Sequence, residues 1–485
     1  MPSRRFHYSD ATLEAGFVKI RDELDIPVTY PTAVMKQAEN AAKRGPQFPP
    51  GAGGTTVVDR RDLPFVAVDP PGARDLDQIF AAERRGAGYR IFYGIADLAA
   101  FISPGSALDM HARKRGVTLY SPDMRASLHP EIINEDVASL LPNVDRQALL
   151  WTIDIDADGE LTSAHVERAT VRNRRAMTYA EAQNEIDNGT ADESLALLKP
   201  IGVLRREREI ERGAVSLQLP AQEITQKPTG YELHYDATLP VENWNAQISL
   251  LTGIAAASIM LDGGEGLLRT LPPADEHTIT ELRATARGLG LDWPDEMSYA
   301  DRVRSLTPAD PREAALLTRS ARGLRGAGYV AFHNGQTPEY PEHSAIASTY
   351  AHVTAPLRRV CDRFANEILL AYCADRPVPT WASEAIDTLP AAMGRASQRD
   401  RSLERTIVDY VETMCLVHRV GETFPAVVTN LNRDRNYATL MVAEPAVIAP
   451  IEDGSLELGS TLDVKLLDVD VEARRLTFER APASP

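Results

Sequence analysis

Apolar and polar positions along the chain follow three successive patterns. In "DATLEAGFVKIRDEL" and "PTAVMKQAENAAKR" apolar residues recur at helical spacing, which predicts two helices separated by the break "DIPVTY". The stretch "GPQFPPGAGG" that follows reads as a linker. From Leu63 the pattern turns mixed. "LPFVAVD", "QIFAAERR" and "YRIFYGIAD" read as strands, with "GAG" turning the chain between the last two. "QALLWTIDIDADGELTSAHVERATV" reads as a hairpin around Asp158 and Gly159. Helical periodicity then dominates in "NWNAQISLLTGIAAASIML", "PREAALLTRSARGL", "PLRRVCDRFANEILLAYCA" and "LERTIVDYVETMCLVHRV". After about Val420 the runs "TFPAVVTNLNRDRNYATLMV", "AVIAPI", "STLDVKLLDVD" and "RRLTFERA" predict five short strands, enough for a small OB-like barrel. "APASP" reads as a loose tail.

The order of strands and helices predicts an α+β protein rather than a regular βαβ repeat. Its 485 residues exceed one ordinary domain. We expect an N-terminal helical module over residues 1–50, compatible with a helix-turn-helix or equally with a plain packing or oligomerisation role, a mixed-sheet domain over 51–420 and a barrel over 421–485. The apolar share of 44% and charged share of 25% are those of a soluble globular protein, and no uninterrupted apolar run nears the roughly 20 residues that span a bilayer. We therefore expect no membrane partner. Cys361, Cys373 and Cys415 lack metal-ligand spacing and fit a reducing cytoplasm. A net charge of −17 opposes indiscriminate coating of nucleic acid, but not one basic channel.

Three constellations carry candidate chemistry. "AVDPPGARDLDQIF" gathers Asp69, Asp75 and Asp77 directly behind an apolar run. Like charges there are either a solvated turn or the ligands of a hard cation such as Mg²⁺, and clustered carboxylates can hold two ions about 4 Å apart. In "HVTAPLRRVCDRF" Pro356 suits a helix's first turn, which would put Arg358 where a cation is unfavourable unless an anion offsets it. That anion is a phosphate, or else the arginines are an exposed pair bridging to Asp362. Tyr120 and Tyr179 each follow a basic stretch, an arrangement that suits base stacking along a single strand or, equally, buried core tyrosines.

Taken in order, these segments resemble the ribonuclease II (RNB) family of 3′-to-5′ exoribonucleases. "FVAVDPPGARDLDQIF" is similar to its metal-binding signature and "YGIADLAAFI" to the strand that follows. "RGVTLYSPD", "HPEIINEDVASLLPN" and "YAHVTAPLRRVCDRF" resemble later family segments, over about Asp62 to Val420. The resemblance implies an RNB catalytic domain ending in an OB-fold RNA-binding barrel. It also implies Mg²⁺-dependent hydrolysis of single-stranded RNA to nucleoside 5′-monophosphates, with Mn²⁺ as a substitute metal. By position it implies catalytic roles for Asp77 and Arg358, metal contacts for Asp69, Asp75, Asp77 and Gln78, and RNA contacts for Tyr120, Tyr179, Gln247, Arg358 and Glu404. Asp97 is expected nearby, as a structural residue or as an acid completing the metal shell.

Three departures stand out. Gln78 occupies a position where the family has Asp, Gln247 replaces a family glutamate, and the N-terminal module is too short and helical for paired cold-shock barrels. They bear on metal affinity, RNA-versus-DNA discrimination and the RNA entrance. The competing readings are an adaptor or protector that binds RNA 3′ ends without cutting, and a nuclease of single-stranded DNA.

Overall fold

Between Phe65 and Ala82 successive buried residues point to opposite sides, as strand geometry requires. Val66, Val68, Phe80 and Ala82 join one hydrophobic cluster, whereas Phe65, Ala67, Ile79 and Ala81 join another. A sheet covered on both faces therefore explains why these strands read as nearly continuous apolar runs. The structure, a computed structural model, describes residues 10–48, 56–215, 222–227, 230–235, 238–307, 310–432, 434, 436–442 and 444–482. Most of the expected linker (residues 49–54) and the end of the tail lie outside them.

The sheet strands are β1 (Val58–Asp59), β2 (Val66–Asp69), β3 (Gln78–Arg85), β4 (Gly88–Ala96), β7 (Asp145–Ile155), β8 (Leu161–Arg172) and β9 (Arg175–Thr178), while β5 (Leu119–Tyr120) and β6 (Arg125–Ala126) form a separate ribbon. The sheet order is β1-β8-β7-β4-β3-β2-β9. Both predicted hairpins form, β3–β4 and β7–β8, each antiparallel. β2 and β9 run parallel with Asp69 opposite Thr178. This register brings the end of the acidic strand beside Tyr179.

Helices α1 (Asp10–Glu23), α2 (Thr32–Arg44), α3 (Ala107–Arg115), α4 (Tyr179–Asp187), α5 (Glu193–Ala196), α6 (Leu198–Glu211) and α7 (Pro240–Gly263) precede or flank the sheet. α8 (Glu276–Gly288), α9 (Tyr299–Ser305) and α10 (Pro311–Ser320) form a helical insertion, and α11 (Val360–Cys373), α12 (Thr380–Ile386) and α13 (Leu389–Leu416) follow it. By length and composition α7 could cross a membrane, yet Ile248, Leu251, Ala255, Ala256 and Met260 are buried in the cluster beneath the sheet. It is the core helix of the sheet domain.

α1 and α2 form no helix-turn-helix; they take the plain packing role that the sequence equally allowed. Leu13, Phe17 and Ile20 of α1 pack against Leu403, Ile407 and Tyr410 of α13, whereas Val34, Ala38 and Ala41 of α2 pack on the face of the sheet opposite α7. Each apolar stripe is satisfied by a different distant surface, so the two helices need no contact with each other.

The C-terminal strands β16 (Thr423–Asn432), β17 (Tyr437–Val442), β18 (Val447–Ile451), β19 (Thr461–Asp470) and β20 (Arg475–Arg480) close into a barrel, as expected. Between the sheet and this barrel lie three further two-stranded pairs: β10 (Gln222–Lys227) with β11 (Gly230–Tyr235), β12 (Gly266–Thr270) with β13 (Gly328–Phe332), and β14 (Glu342–His343) with β15 (Ser348–Thr349). Leu416, the last residue of α13, sits inside the barrel core. Just before it, buried Glu412 accepts hydrogen bonds from the Ile448 amide of β18 and from Gln222 Nε2 of β10, each at 2.7 Å. One carboxylate thus ties helix, hairpin and barrel together.

Candidate active site

The acidic loop leaves the sheet at Asp69 and re-enters it at Gln78, and a turn immediately before α11 lies against it. Leu357 donates its backbone N–H to Asp77 Oδ1 at 2.8 Å, and Arg358 Nε stands 3.3 Å from Asp77 Oδ2. Asp77 is buried, and that burial pushes its pKa up to about 8, against the opposing pull of Arg358 and the Leu357 amide. Burial likewise pushes Asp69 up to about 7, with Arg358 pulling it down and Asp75 raising it further. Among the described residues no hydrogen bond or ion pair is made to the Asp69 carboxylate. Asp75 accepts from Arg125 Nη1 at 2.9 Å, and Arg125 also pairs with Glu135 at 2.8 Å.

The predicted helix over Pro356–Ala374 starts later than its periodicity indicated. Pro356, Leu357 and Arg358 form a turn, and α11 begins at Val360. Arg358 therefore lies just outside the helix, directly before its N-cap Arg359, and not in its first turn. The expected bridge to Asp362 does exist, but Arg359 makes it: Arg359 Nη2 lies 2.8 Å from Asp362 Oδ2, which also accepts from the Ala355 amide at 2.7 Å. Two adjacent arginines are thus divided between holding the turn and facing the carboxylates.

Gln78 was expected in the metal shell, and its amide is engaged at both ends. Nε2 donates to the Thr354 carbonyl at 2.6 Å, and Oε1 accepts from the Tyr93 hydroxyl at 2.6 Å. Tyr93 also bonds Ser249, whose hydroxyl lies 2.8 Å from that of Thr354. A neutral network of Tyr93, Gln78, Ser249 and Thr354 fills the place of a fourth carboxylate. It ties the strand behind the acidic loop to the turn carrying Arg358.

Tyr120 and Tyr179 both face this centre. The Tyr120 ring is 49% exposed, and its hydroxyl pKa is raised by burial of that end and by Asp75. Tyr179 is raised by burial and then by Asp69. Gln247 is a correction. On α7 the residues turned toward the site are Asn245, which bonds Tyr179, and Ser249. Gln247 lies about 200° around the helix from each at 100° per residue, and its side chain is buried against Glu209 of α6. Asp97 is also absent from the metal shell: it is buried and accepts from Arg168 Nε at 2.7 Å, with Glu367 on the same guanidinium. Glu404 is exposed on α13, and no contact joins it to the carboxylates. Sequence reasoning missed Tyr93 and Arg125. Tyr93 had a signal, because Gln78 pairs with Ile95 and Tyr93 lies two residues along the same face.

The donor set fits a hard cation in kind and in charge. All the donors are carboxylate oxygens, and burial holds the pKa values of Asp69 and Asp77 up even against Arg358, a cost that a bound cation would offset. Among the described residues no three His, Cys, Asp or Glu side chains converge into a ready-made metal cage. Arg125 holds Asp75 aside, and Arg358 leans on Asp77.

Sheet, acidic loop and appended barrel define a class in which a cluster of carboxylates facing an arginine is joined to an oligonucleotide-binding type of barrel. Comparison with known families makes this specific: the RNB domain model matches residues 57–375, and that of the RNase II-type exonuclease C-terminal S1 domain matches 422–481. The chain belongs to the RNB family. It is 25% identical over 525 residues to ribonuclease R of Escherichia coli (strain K12), covering 94% of this chain and 62% of that one. It is 27% identical over 337 residues to the exosome complex exonuclease RRP44 homolog A of Arabidopsis thaliana, covering 66% of this chain and 36% of that one. The chain thus spans less than two thirds of the length of either relative. In fold it is similar to Mycoplasma genitalium RNase R in complex with ribose methylated single-stranded RNA (TM-score 0.84, 17% identity, 97% of this chain and 78% of that one). It also resembles yeast Ssd1, a pseudonuclease (TM-score 0.67, 16% identity, 87% and 54%).

Proposed function

We propose that the protein is a 3′-to-5′ exoribonuclease that hydrolyses single-stranded RNA to nucleoside 5′-monophosphates. The observation that carries this reading is the convergence of Asp77, the Leu357 amide and Arg358 in a chain of the RNB family. Asp69, Asp75 and Asp77 would hold Mg²⁺, or Mn²⁺, whose chemistry is to activate water and stabilise the leaving 3′ oxygen. Arg358, half-exposed beside Asp77, grips the phosphate and offsets the charge that builds on it. Tyr120 offers its exposed ring to a base near the 3′ end. Tyr179, beside Asp69, is set to meet the terminal sugar. The solved relative bound to single-stranded RNA supports the substrate class.

One observation favours a second reading. Gln78 brings no charge and is occupied by Tyr93 and Thr354, as would suit a protein that binds RNA 3′ ends without cutting them. End-labelled RNA and DNA oligomers, incubated with and without Mg²⁺, decide between the two. Stepwise shortening of RNA by the wild type, lost in Asp77→Asn, supports the exonuclease. Retained label with tight RNA binding supports the adaptor, and shortening of DNA alone would replace the substrate.

A further inference from the structure

α13 carries Arg395, Gln398, Arg399 and Ser402 at spacings of three and four, which places them on one face of the helix. With Lys114 at the end of α3 and Leu24 just past α1, they line a cavity of about 450 Å³. No carboxylate lines it, and among the described residues neither Lys114 nor Arg395 has an ion-pair partner. Arg399 donates to the α3 carbonyls of Lys114 and Arg115 at 3.1 and 2.8 Å, which neutralises a helix C-terminus rather than the arginine. Next to Lys114, buried Arg115 bonds, among the described residues, neutral groups only, the Ser127 and Thr29 carbonyls and His111 Nε2. Four cations gathered without an acid are unexpected in a chain of net charge −17. Their mutual repulsion is relieved by an anion between them.

We infer that this cavity binds the phosphodiester backbone of an RNA strand, upstream of the end held at Arg358; the inference rests on the function proposed above. The chain itself links the two places. Tyr120 follows Lys114 by six positions, a reach of at most about 21 Å, and along that segment Thr118 donates its amide to the Arg358 carbonyl at 3.0 Å. A strand stacked on Tyr120 and leaving the site past this segment meets the basic face within that distance. The small polar groups of Gln398 and Ser402 add hydrogen bonds to phosphate or ribose without reading bases.

The test is a Lys114→Gln, Arg395→Gln double variant, which leaves Arg399 on its carbonyls. It is compared with its parent in an Asp77→Asn background that keeps RNA intact, after thermal unfolding shows that both are folded. Affinity for RNA oligomers of about 4 and about 16 nucleotides, the range that single-strand sites cover, is measured across a salt series. Two lost phosphate contacts lower the slope of log K against log salt by about 1.4 for the longer RNA, and the loss of affinity is greater for the longer oligomer than for the shorter. Equal slopes and affinities would overturn the inference while leaving the proposed function standing. Loss of inorganic phosphate binding with RNA binding unchanged would overturn it in favour of a free-anion site. A parent chain that binds no RNA would overturn the proposed function itself, and this inference with it.

Discussion

Replacing Gln78 by Glu separates two meanings of the residue that fills the family's fourth acidic position. The side chain keeps its length and its acceptor for the Tyr93 hydroxyl, but it can no longer donate to the Thr354 carbonyl, now bonded at 2.6 Å. A partly buried carbonyl that loses its donor costs about 1–3 kcal/mol. The cost falls on the turn whose next residues supply the Leu357 amide and Arg358 to Asp77. If that turn is held for the transition state by Gln78, the same energy becomes a loss of about 5- to 150-fold in rate. We predict that Gln78→Glu lowers the rate of RNA shortening at every Mg²⁺ concentration and leaves the midpoint of the Mg²⁺ titration where it was. Tyr93→Phe, which spares the Thr354 bond, should cost less. Initial rates on an end-labelled oligomer, titrated at constant ionic strength, provide the measurement. A Gln78→Glu protein that reaches an undiminished plateau at lower Mg²⁺ would refute the reasoning, because it would put residue 78 in the metal shell after all.

The remaining predictions use other parts of the molecule. Asp77→Asn removes the charge facing Arg358 but keeps an acceptor for Leu357, so hydrolysis should drop by orders of magnitude with little change in RNA affinity; near wild-type shortening would reassign the loop. Tyr120→Ala forfeits a stacking contribution of roughly 1–3 kcal/mol, and its products on a sequencing gel should stop at a different residual length, whereas unchanged products would make the ring a packing element. Glu412, pushed up by burial from 4.5 to about 7, binds a proton more tightly in the folded than in the unfolded chain. Its contribution is therefore favourable below about pH 4.5 and declines as pH rises to about 7, by the order of 3 kcal/mol. Glu412→Gln keeps the acceptor without the charge. Urea unfolding at several pH values should show the wild type losing that much relative to the variant, and parallel curves would mean the carboxylate is better solvated than its burial indicates.

Much of the architecture could be read from side-chain polarity alone. Strand pairs β3–β4 and β7–β8 announce themselves through short apolar runs bounded by turn residues, and the barrel strands through alternating polarity, signals that act over a few positions. What failed to show were choices of partner made across the chain. Thr354, which holds Gln78, is 276 residues away from it, and nothing local distinguishes an amide bound for a metal from one bound for a carbonyl. Arg358 and Arg359 are adjacent and chemically alike, yet a backbone turn sends one to Asp77 and the other to Asp362. Gln247 sits on an apolar helix whose sequence does not say which of its faces meets the site, and it points instead to Glu209 of α6. α1 and α2 show the same limit at larger scale, since an amphipathic stripe states that a surface must be covered without stating by what.

The support beneath α1 has a consequence for how the chain is made. Phe17 meets Tyr410 edge-on at 5.9 Å, and Lys19 reaches Glu472, 453 residues further along. At a synthesis rate of roughly 5–20 residues per second, this helix leaves the ribosome roughly 20 to 90 s before its last partner does. Its apolar stripe meets its cover earlier and in stages, first Tyr231 of β11 and then Leu403, Ile407 and Tyr410 of α13. Docking of α1 is thus completed only once the barrel segment that supplies Glu472 has emerged, and the nascent chain carries an incompletely covered apolar stripe until α13 has followed it.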